Sequence, residues 1–348
     1  MKQSPFSIHL PAEWEPQSAV LLTWPHDRTD WAPIFDEVIP CFVSIAKEIV
    51  CQEKLVIVCV ATDEVKRALG EMDFSPIIFR EIPSNDSWMR DHGPISVRVN
   101  ETPYILDFTF NGWGLKFPAN YDNQITRRLY ESGVFHPDVR YQNMSYMVLE
   151  GGSIESDGEG TLMTTSKCLL SPNRNDYKSR AEIEDHLKMI FNARRILWIN
   201  HGYLAGDDTD THIDTLVRFC DKETIAYVQC TDPNDEHFSE LSLMEAELQK
   251  MKTEDGKPYR LIALPLAEAV YHEGERLPAT YANFLIINQA VLLPVYNSPL
   301  DEVAAKALQK AFPNRKIVPI NCLPLIKQHG SLHCVTMQLP EGFLPVSV

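Results

Sequence analysis

The sequence predicts a mixed α/β fold, because short strand-like segments and longer helix-like segments alternate along all 348 residues. No Pro- or Ser-rich linker divides the chain, and a strand pair followed by a helix recurs roughly every 55–85 residues. A doubly wound nucleotide-binding sheet would alternate in the same way. However, neither the G-x-G-x-x-G nor the G-x-x-x-x-G-K-[ST] motif occurs, so nucleotide binding has little support.

The expected strands are short, rich in β-branched residues and bounded by Gly, Pro, Asn or Asp. In chain order they are residues 55–60, 76–81, 95–99, 104–110, 147–150, 161–165, 196–199, 216–220, 224–230, 260–264, 281–288, 291–296, 316–320 and 334–338. Helices are expected at residues 35–51, 63–72, 122–132, 180–192, 236–252 and 300–312. The last helix has apolar residues at helical spacing, with Pro299 before its start and Pro313 after its end.

Composition excludes several classes of protein. No run of ~18 apolar residues exists, so no transmembrane helix is expected. The N-terminus lacks the ~7–15-residue apolar core of a signal peptide, which predicts a cytoplasmic protein. The net charge of −16 and the absence of basic patches disfavour nucleic acid as a partner. An acidic surface attracts cationic ligands, although solubility alone would explain the charge equally well.

Cysteine usage singles out one residue near the C-terminus. The eight cysteines show no C-x-x-C spacing, and a long chain without a secretion signal argues against disulfides. Seven of them are expected to be buried, inert thiols. Cys334 differs because it follows a histidine and lies between a Gly/Ser turn and a strand. A thiol there can be exposed and held in fixed geometry, and a structural cysteine is the alternative.

A histidine and a carboxylate lie two residues apart in an acidic segment. If the segment is extended, His212 and Asp214 point to the same face and into one pocket. Imidazole titrates near neutrality, which suits proton transfer. Two alternatives are a structural histidine and a metal site that includes Asp207, Asp208 and Asp210. The spacing matches neither an EF-hand loop nor an H-E-x-x-H motif.

Two further carboxylates lie beside recognition-type residues. Asp91 belongs to a loop that also contains Trp88, and it can accept paired hydrogen bonds from a guanidinium. The alternative is an ion pair with Arg90. Glu150 ends an apolar strand and is expected to be partly buried, so it needs a cationic or hydrogen-bonding partner. Two glycines follow Glu150 and permit close approach of the backbone to a ligand.

Together these motifs resemble the agmatine deiminase family, which is grouped with Porphyromonas-type peptidylarginine deiminases among guanidine-modifying proteins. The matching segments cover nearly the whole chain: 11–16 (PAEWEP), 22–25 (LTWP), 88–94 (WMRDHGP), 110–114 (FNGWG), 149–153 (LEGGS), 173–175 (NRN), 208–214 (DTDTHID), 281–284 (YANF) and 332–336 (LHCVT). So many matches in one order are far more specific than any single motif.

The resemblance implies a fold and a set of roles. The fold would be a pentein, a five-bladed α/β propeller of ββαβ-type modules with pseudo-fivefold symmetry, in a single domain over residues 1–348. Cys334 resembles the nucleophile, and His212 resembles the general acid/base. Asp91 and Asp214 resemble the carboxylates that grip the guanidinium. Glu150 resembles the acidic residue that supports the substrate and His212.

The activity implied is hydrolysis of agmatine to N-carbamoylputrescine and ammonia through an amidino-thioether, within putrescine biosynthesis and without metal or organic cofactor. Trp88 and Trp113 are expected to pack on the substrate's alkyl chain, or else to be core residues. The partner implied is a small cationic guanidine, with no nucleic acid and no membrane. A homo-oligomer stays open. Alternatives are deimination of peptidyl-arginine or another guanidine, and a non-catalytic acidic guanidine-binding protein.

The sequence departs from the family pattern at two places. Gly330 and Ser331 replace the usual Gly-Asn before the nucleophile, which is expected to affect loop conformation and substrate preference. Thr211 stands where the family usually has glycine before the catalytic histidine.

Overall fold

The computed structural model describes residues 7–176 and 179–345. The two ends of the predicted 1–348 domain, residues 1–6 and 346–348, lie outside the described residues. In the described part, no helix combines the length and the apolar character needed to cross a membrane.

Short strands dominate the structure. In chain order they are β1 Ile8–His9, β2 Gln17–Thr23, β3 Lys54–Cys59, β4 Ile77–Glu81, β5 Ile95–Val99, β6 Thr102–Thr109, β7 Arg140–Val148, β8 Ile154–Ser156, β9 Thr161–Thr165, β10 Arg195–Ile199, β11 Val217–Asp221, β12 Thr224–Gln229, β13 Arg260–Pro265, β14 Tyr271–His272, β15 Glu275–Arg276, β16 Leu285–Ile286, β17 Ala290–Val295, β18 Lys316–Asn321 and β19 Thr336–Pro340.

Helices connect the strands. They are α1 Phe35–Val50, α2 Thr62–Leu69, α3 Met89–His92, α4 Gly112–Leu115, α5 Ile125–Glu131, α6 Ser166–Leu169, α7 Arg180–Phe191, α8 Phe238–Leu248, α9 Leu300–Ala311 and α10 Leu323–Ile326. The element α4 is not a regular helix, because Trp113 and Gly114 have left-handed backbone angles.

Five sheets in the described ranges repeat one strand pattern. The antiparallel pairs are β5–β6, β8–β9, β11–β12, β16–β17 and β19–β2. The second strand of each pair also pairs in parallel with a third strand: β7, β10, β13, β18 and β3, respectively. Parallel neighbours need a crossover, and α5, α7, α8, α9 and α1 supply it. The strand pair plus helix predicted from the sequence is therefore the repeating unit.

The last strand of the chain joins the first sheet. Strand β19 pairs antiparallel with β2, which in turn pairs in parallel with β3. Both faces of β2 and β3 are almost entirely buried, as expected for strands covered by helices on their faces. Helix α1 packs on them with a buried stripe at helical spacing that includes Val38, Phe42, Ile45 and Ile49. The same core cluster contains Cys334.

All six expected helices are present, with their ends shifted by a few residues. The strand predictions fail in several places, and the short strands β1, β8, β14 and β15 were not expected. Residues 281–288 form only the two-residue strand β16, because the side chain of Asn283 bonds to the backbone of a neighbouring segment. Strand β7 begins at Arg140, well before the predicted start at residue 147. The exposed polar residues in its first part hid the strand pattern. Strand β2 was not expected at all, and β19 begins at Thr336 rather than at residue 334.

Candidate active site

Cys334 lies in the turn before β19 and is held tightly. Its side chain is only 5% exposed, so the expectation of an exposed thiol is wrong. The fixed geometry is present: the backbone N–H and the thiol both donate to Asn283 Oδ1, at 3.3 and 3.4 Å. The carbonyl of Cys334 accepts from the backbone N–H of Arg90 at 3.1 Å. The nucleophile candidate is thus fastened to two other segments of the fold.

Cys334 lines an acidic pocket. Four aspartates and two tryptophans line it as well: Asp30, Asp86, Asp91, Asp208, Trp88 and Trp113. None of its described lining residues is lysine or arginine. The pocket therefore suits a cation, as the net charge suggested.

Behind this pocket, the predicted catalytic groups converge beside Gly152. A Cβ atom placed on Gly152 would lie 2.6 Å from His212 Nδ1, 2.8 Å from Asp91 Oδ1 and 3.2 Å from Asp214 Oδ2. Asp214 Oδ2 is in turn 4.0 Å from Cys334 Sγ. The structure therefore brings a thiol, an imidazole and two carboxylates together from three separate segments of the chain.

Three buried polar atoms in this centre have no hydrogen-bond partner among the described residues: His212 Nδ1, His212 Nε2 and Asp214 Oδ1. His212 and Asp214 are both fully buried. Buried polar groups are normally paired, so unpaired atoms mark the place where a polar ligand can bind. His212 and Asp214 share this centre as expected, but the segment is not extended, because Ile213–Thr215 forms a 3-10 turn.

Asp91 is positioned by two N–H donors. Its Oδ2 accepts from Trp113 Nε1 at 2.9 Å, and its Oδ1 accepts from the backbone N–H of Gly152 at 3.0 Å. The alternative pairing with Arg90 does not occur, because the Arg90 side chain donates to Gln338 and to the His333 carbonyl. Burial, followed by the charges of Asp214 and Glu150, raises the pKa of Asp91 well above its usual range. A bound guanidinium would reverse this by favouring the ionised carboxylate.

Glu150 has the cationic partner predicted for it. Arg174 Nε lies 2.8 and 3.1 Å from the two oxygens of Glu150, and both side chains are fully buried. Arg174 also donates to Asp210 Oδ2 at 2.6 Å. The carboxylate of Glu150 lies within 4.8 Å of a ring nitrogen of His212. Glu150 therefore stands beside His212 while Arg174 holds its carboxylate.

The nucleophile and base candidates are both neutral in the ligand-free protein. Burial, followed by the charges of Asp214 and Asp91, raises the pKa of Cys334 well above its usual range. Burial lowers the pKa of His212 to about 3, although the charge of Asp214 opposes this. The thiol of Cys334 therefore has a proton that the unprotonated imidazole of His212 can accept. A cation bound between the two aspartates would favour the thiolate electrostatically.

The acidic segment before His212 is a structural turn. The Asp207 carboxylate accepts from the backbone N–H groups of Thr209 and Thr211. Thr211 has φ +70°, the left-handed region in which a β-branched residue is strained. This explains why a glycine would suit the position at which the family pattern is broken.

The other departure from the family pattern, Gly330 and Ser331, lies against a tryptophan. Gly330 packs so closely that a Cβ on it would lie 2.2 Å from the Trp88 ring. Ser331 is buried and its hydroxyl lies 2.9 Å from Tyr296 Oη. The indole N–H of Trp88 bonds to Asp86 at 3.0 Å, so this tryptophan ties the turn before Cys334 to the acidic wall of the pocket.

Two groups of described side chains could hold a metal ion: Glu150, Cys168 and His212, and Glu13, Glu155 and His333. Each group already has a guanidinium on its carboxylates. Arg174 binds Glu150, while Arg218 binds Glu13 and Glu155. An arginine paired in this way occupies the lone pairs that a cation needs. Neither group therefore fits a divalent ion.

Gly152→Ala is expected to lower activity by at least about a hundredfold, since the added methyl group occupies the point where the catalytic groups meet. Gly133→Ala is the control for turnover, because its Cβ would meet no atom of the described residues within 4 Å. Its φ of +69° makes alanine strained there, so its thermal stability should fall while its activity stays at the wild-type level. Turnover and thermal unfolding of both variants check this. Full activity of the Gly152 variant would contradict the assigned centre.

Sequence reasoning missed three residues that position this centre: Asn283, Arg174 and Glu13. All three are buried and lie in motifs that carried the family resemblance, but no role was assigned to them. A polar side chain within an apolar run, such as Asn283 in residues 281–287, was the available sign, since burial demands a partner. Which partner it meets cannot be read from the chain.

Comparison with known proteins agrees with this geometry. A family model of Porphyromonas-type peptidyl-arginine deiminase matches residues 9–340. The agmatine deiminase of Pseudomonas syringae pv. tomato is 32% identical, with 97% of this chain and 96% of that protein covered. An amidinotransferase from Microseira wollei, 12% identical with a TM-score of 0.53, shares the fold alone.

Two solved structures are more similar. A Porphyromonas gingivalis protein provisionally named an arginine deiminase is 55% identical, with a TM-score of 0.94 over 97% of this chain and 100% of that one. A variant of C. jejuni agmatine deiminase with substrate bound is 36% identical, with a TM-score of 0.91 over 99% of each chain. These matches confirm the family predicted from the motifs. The chain therefore belongs to the Porphyromonas-type peptidyl-arginine deiminase family.

Proposed function

We propose that this protein is an agmatine deiminase, which hydrolyses agmatine to N-carbamoylputrescine and ammonia. One observation carries the proposal: a thiol, an imidazole and two carboxylates meet behind a pocket whose described lining contains four aspartates and no lysine or arginine. Agmatine has a guanidinium at one end and an ammonium at the other. The relatives from P. syringae and C. jejuni are both named agmatine deiminases.

In the first half-reaction, the guanidinium binds between Asp91 and Asp214, whose oxygens accept its N–H groups. The Cys334 sulfur attacks the guanidinium carbon, and the thiol passes its proton to His212. His212 delivers one proton to a departing –NH2 group, so ammonia leaves and an amidino-thioether remains on Cys334. Covalent catalysis of this kind divides one difficult hydrolysis into two easier steps.

In the second half-reaction, water attacks the carbon of the amidino-thioether while His212 takes one of its protons. The carbon–sulfur bond then breaks and the ureido product leaves. The sulfur recovers a proton from His212, and the remaining hydroxyl proton passes to solvent. A base that is neutral before the reaction suits this role, because a protonated imidazole accepts no proton. No step needs an oxidant, a reductant or a bound cofactor.

The outer pocket favours a substrate with a second positive charge. Burial raises the pKa of Asp86 to about 7 and that of Asp208 to about 6. An ammonium nearby would favour the charged form of both carboxylates and gain an ion pair. Free arginine would instead bring a carboxylate into this acidic region. Trp88 and Trp113 line the same pocket and are placed to pack on the carbon chain between the two charges.

Deimination of arginine or peptidyl-arginine is the second candidate, because the 55% identical P. gingivalis protein is provisionally named an arginine deiminase. For a carboxylate-bearing substrate, His329 is the described lining residue that could carry a positive charge. Its Nδ1 donates to the carbonyl of Gly206 at 2.8 Å, which leaves only Nε2 for such a contact. A single, constrained imidazole is a poor match for an α-carboxylate.

The deciding experiment measures ureido product and ammonia from agmatine, arginine and a peptidyl-arginine substrate. Agmatine is expected to have the highest kcat/KM. Asp208→Asn and Asp86→Asn are each expected to lower this value for agmatine about ten- to hundredfold, because a charged contact is lost. Asp138→Asn, whose side chain is 76% exposed, is the matched control. No activity on any of the three substrates would refute the proposal.

We also propose that the five repeated sheets are the blades of a propeller within a single domain over residues 1–348. The pairing of β19 with β2, which connects the end of the chain to its first sheet, supports this arrangement. The place of the enzyme in putrescine biosynthesis follows from the proposed product, and its cytoplasmic location remains a prediction.

A further inference from the structure

His333, the residue before the nucleophile, stands between two buried carboxylates. Its Nδ1 lies 2.7 Å from Asp214 Oδ2, and its Nε2 lies 2.7 Å from Glu13 Oε2. His333 is 2% exposed and Glu13 is 8% exposed. An ionised carboxylate only accepts hydrogen bonds, so both ring nitrogens must donate if both carboxylates are charged. The arrangement thus calls for a cationic imidazole.

The charges around His333 lead to the same conclusion. The buried network contains three carboxylates and two guanidiniums besides the imidazole: Glu13, Glu155, Asp214, Arg90 and Arg218. Arg218 Nη2 lies 2.8 Å from Glu13, and Arg90 Nη2 lies 3.9 Å from it. With all three carboxylates ionised, two guanidiniums leave one of them without a counter-charge, and the His333 imidazole is the described side chain that contacts two of these carboxylates. Buried charges are stable only when they are compensated in this way.

The bond to His333 divides the two oxygens of Asp214. Oδ2 is fixed by the imidazole, whereas Oδ1 is buried and has no hydrogen-bond partner among the described residues. Because a carboxylate is planar, fixing one oxygen and the backbone determines where the other oxygen points. Glu13 anchors the far side of the imidazole and is itself held by the backbone N–H of Ile286 at 2.6 Å.

We propose that His333 is a positioning residue. Through the chain Glu13–His333–Asp214, it holds the Asp214 carboxylate ionised and oriented so that Oδ1 receives the guanidinium, and His333 itself does not touch the substrate. His333 adjoins the nucleophile in the chain, and its two bonds are to carboxylates. The inference rests on the proposed function for the identity of the substrate.

Two amide substitutions separate the two bonds of the imidazole. In His333→Asn the amide nitrogen falls near the position of Nδ1 and keeps a donor for Asp214. In His333→Gln the amide falls near Nε2, so the contact with Glu13 is kept and the contact with Asp214 is lost. Both variants remove the ring and its charge, which makes each a control for the other.

The glutamine variant is expected to raise KM for agmatine about tenfold or more, with a smaller change in kcat. The reason is that Asp214 grips the guanidinium before and during the reaction alike. The asparagine variant is expected to have a KM between those of the wild type and the glutamine variant. A purely structural role would instead lower the amount of folded enzyme and leave KM unchanged. Equal KM values in the two variants would overturn the proposal.

Binding gives a readout that does not depend on turnover. In a Cys334→Ala background, calorimetry should show weaker binding of agmatine by the glutamine variant than by the asparagine variant, and equal affinities would overturn the role of His333. If wild type turns over no guanidine, the proposed function fails, and the affinity comparison is made with whichever guanidine of the panel still binds. Should the glutamine variant not fold, His333→Ala, which keeps neither bond, replaces it in both measurements.

Discussion

Cys334→Ala is expected to reduce ammonia release from agmatine by about four orders of magnitude or more, because the covalent route is lost entirely. The fold should persist, since the residue is small and the turn is also held by backbone bonds to Asn283 and Arg90. Cys51→Ala, which removes an exposed thiol, is the control and should keep full activity. Turnover together with thermal unfolding of each variant checks the result. Substantial activity of Cys334→Ala would refute the nucleophile assignment.

Chemical modification separates thiol chemistry from metal chemistry. In the Cys51→Ala background, iodoacetamide should inactivate the enzyme slowly at neutral pH and faster at alkaline pH, because burial beside Asp214 and Asp91 raises the pKa of the Cys334 thiol. Agmatine should protect against this loss. A chelator should leave the activity unchanged. Inactivation by the chelator, with no effect of alkylation, would favour a metal hydrolase instead.

His212→Gln is expected to lower turnover by about three orders of magnitude, since both half-reactions use His212 for proton transfer. His272→Gln, on the exposed strand β14, is the control and should be as active as wild type. Steady-state kinetics at neutral pH measure both. Full activity of His212→Gln would remove the proposed role of this residue.

The same residue links stability to pH. Burial lowers the pKa of His212 from 6.5 to about 3, so the folded protein holds this imidazole neutral while the unfolded chain protonates it below pH 6.5. The contribution of the neutral His212 to the free energy of unfolding is therefore fully present above pH 6.5. It is lost as the pH falls toward 3, by about 1.4 kcal/mol per pH unit. Urea unfolding at neutral and mildly acidic pH should show a weaker pH dependence for His212→Gln than for wild type. An identical dependence would contradict the neutral state of His212.

Local patterns were enough to place most of the helices and strands. Helices α1 and α9 have apolar stripes at helical spacing, and β5 and β9 are short β-branched runs bounded by turn residues, so each was predicted within a residue of its observed ends. The prediction for residues 281–288 failed because contacts with a distant segment, rather than composition, decide their conformation. Strand β7 was missed because its exposed polar residues do not alternate with buried apolar ones. The order of strands within the sheets could not be derived from the chain by such patterns.

For the site, the sequence alone determined which residue types were available and which family their order resembles. It singled out Cys334, His212, Asp91, Asp214 and Glu150, whereas the net charge was compatible with a cationic ligand and equally with solubility alone. It did not determine exposure, since Cys334 proved to be buried.

Only the tertiary structure decided how these groups are paired. It separated His212, whose ring nitrogens have no hydrogen bond among the described residues, from His333, whose nitrogens each face a carboxylate. It also placed Arg174 on Glu150, and within the described ranges it gave Oδ1 of Asp214 no hydrogen-bond partner. Hydrogen bonds, desolvation and charge interactions act over a few ångströms in space, and those distances join residues that are up to 320 positions apart in the chain. For that reason the sequence names the chemical groups, and the fold decides which of them act together.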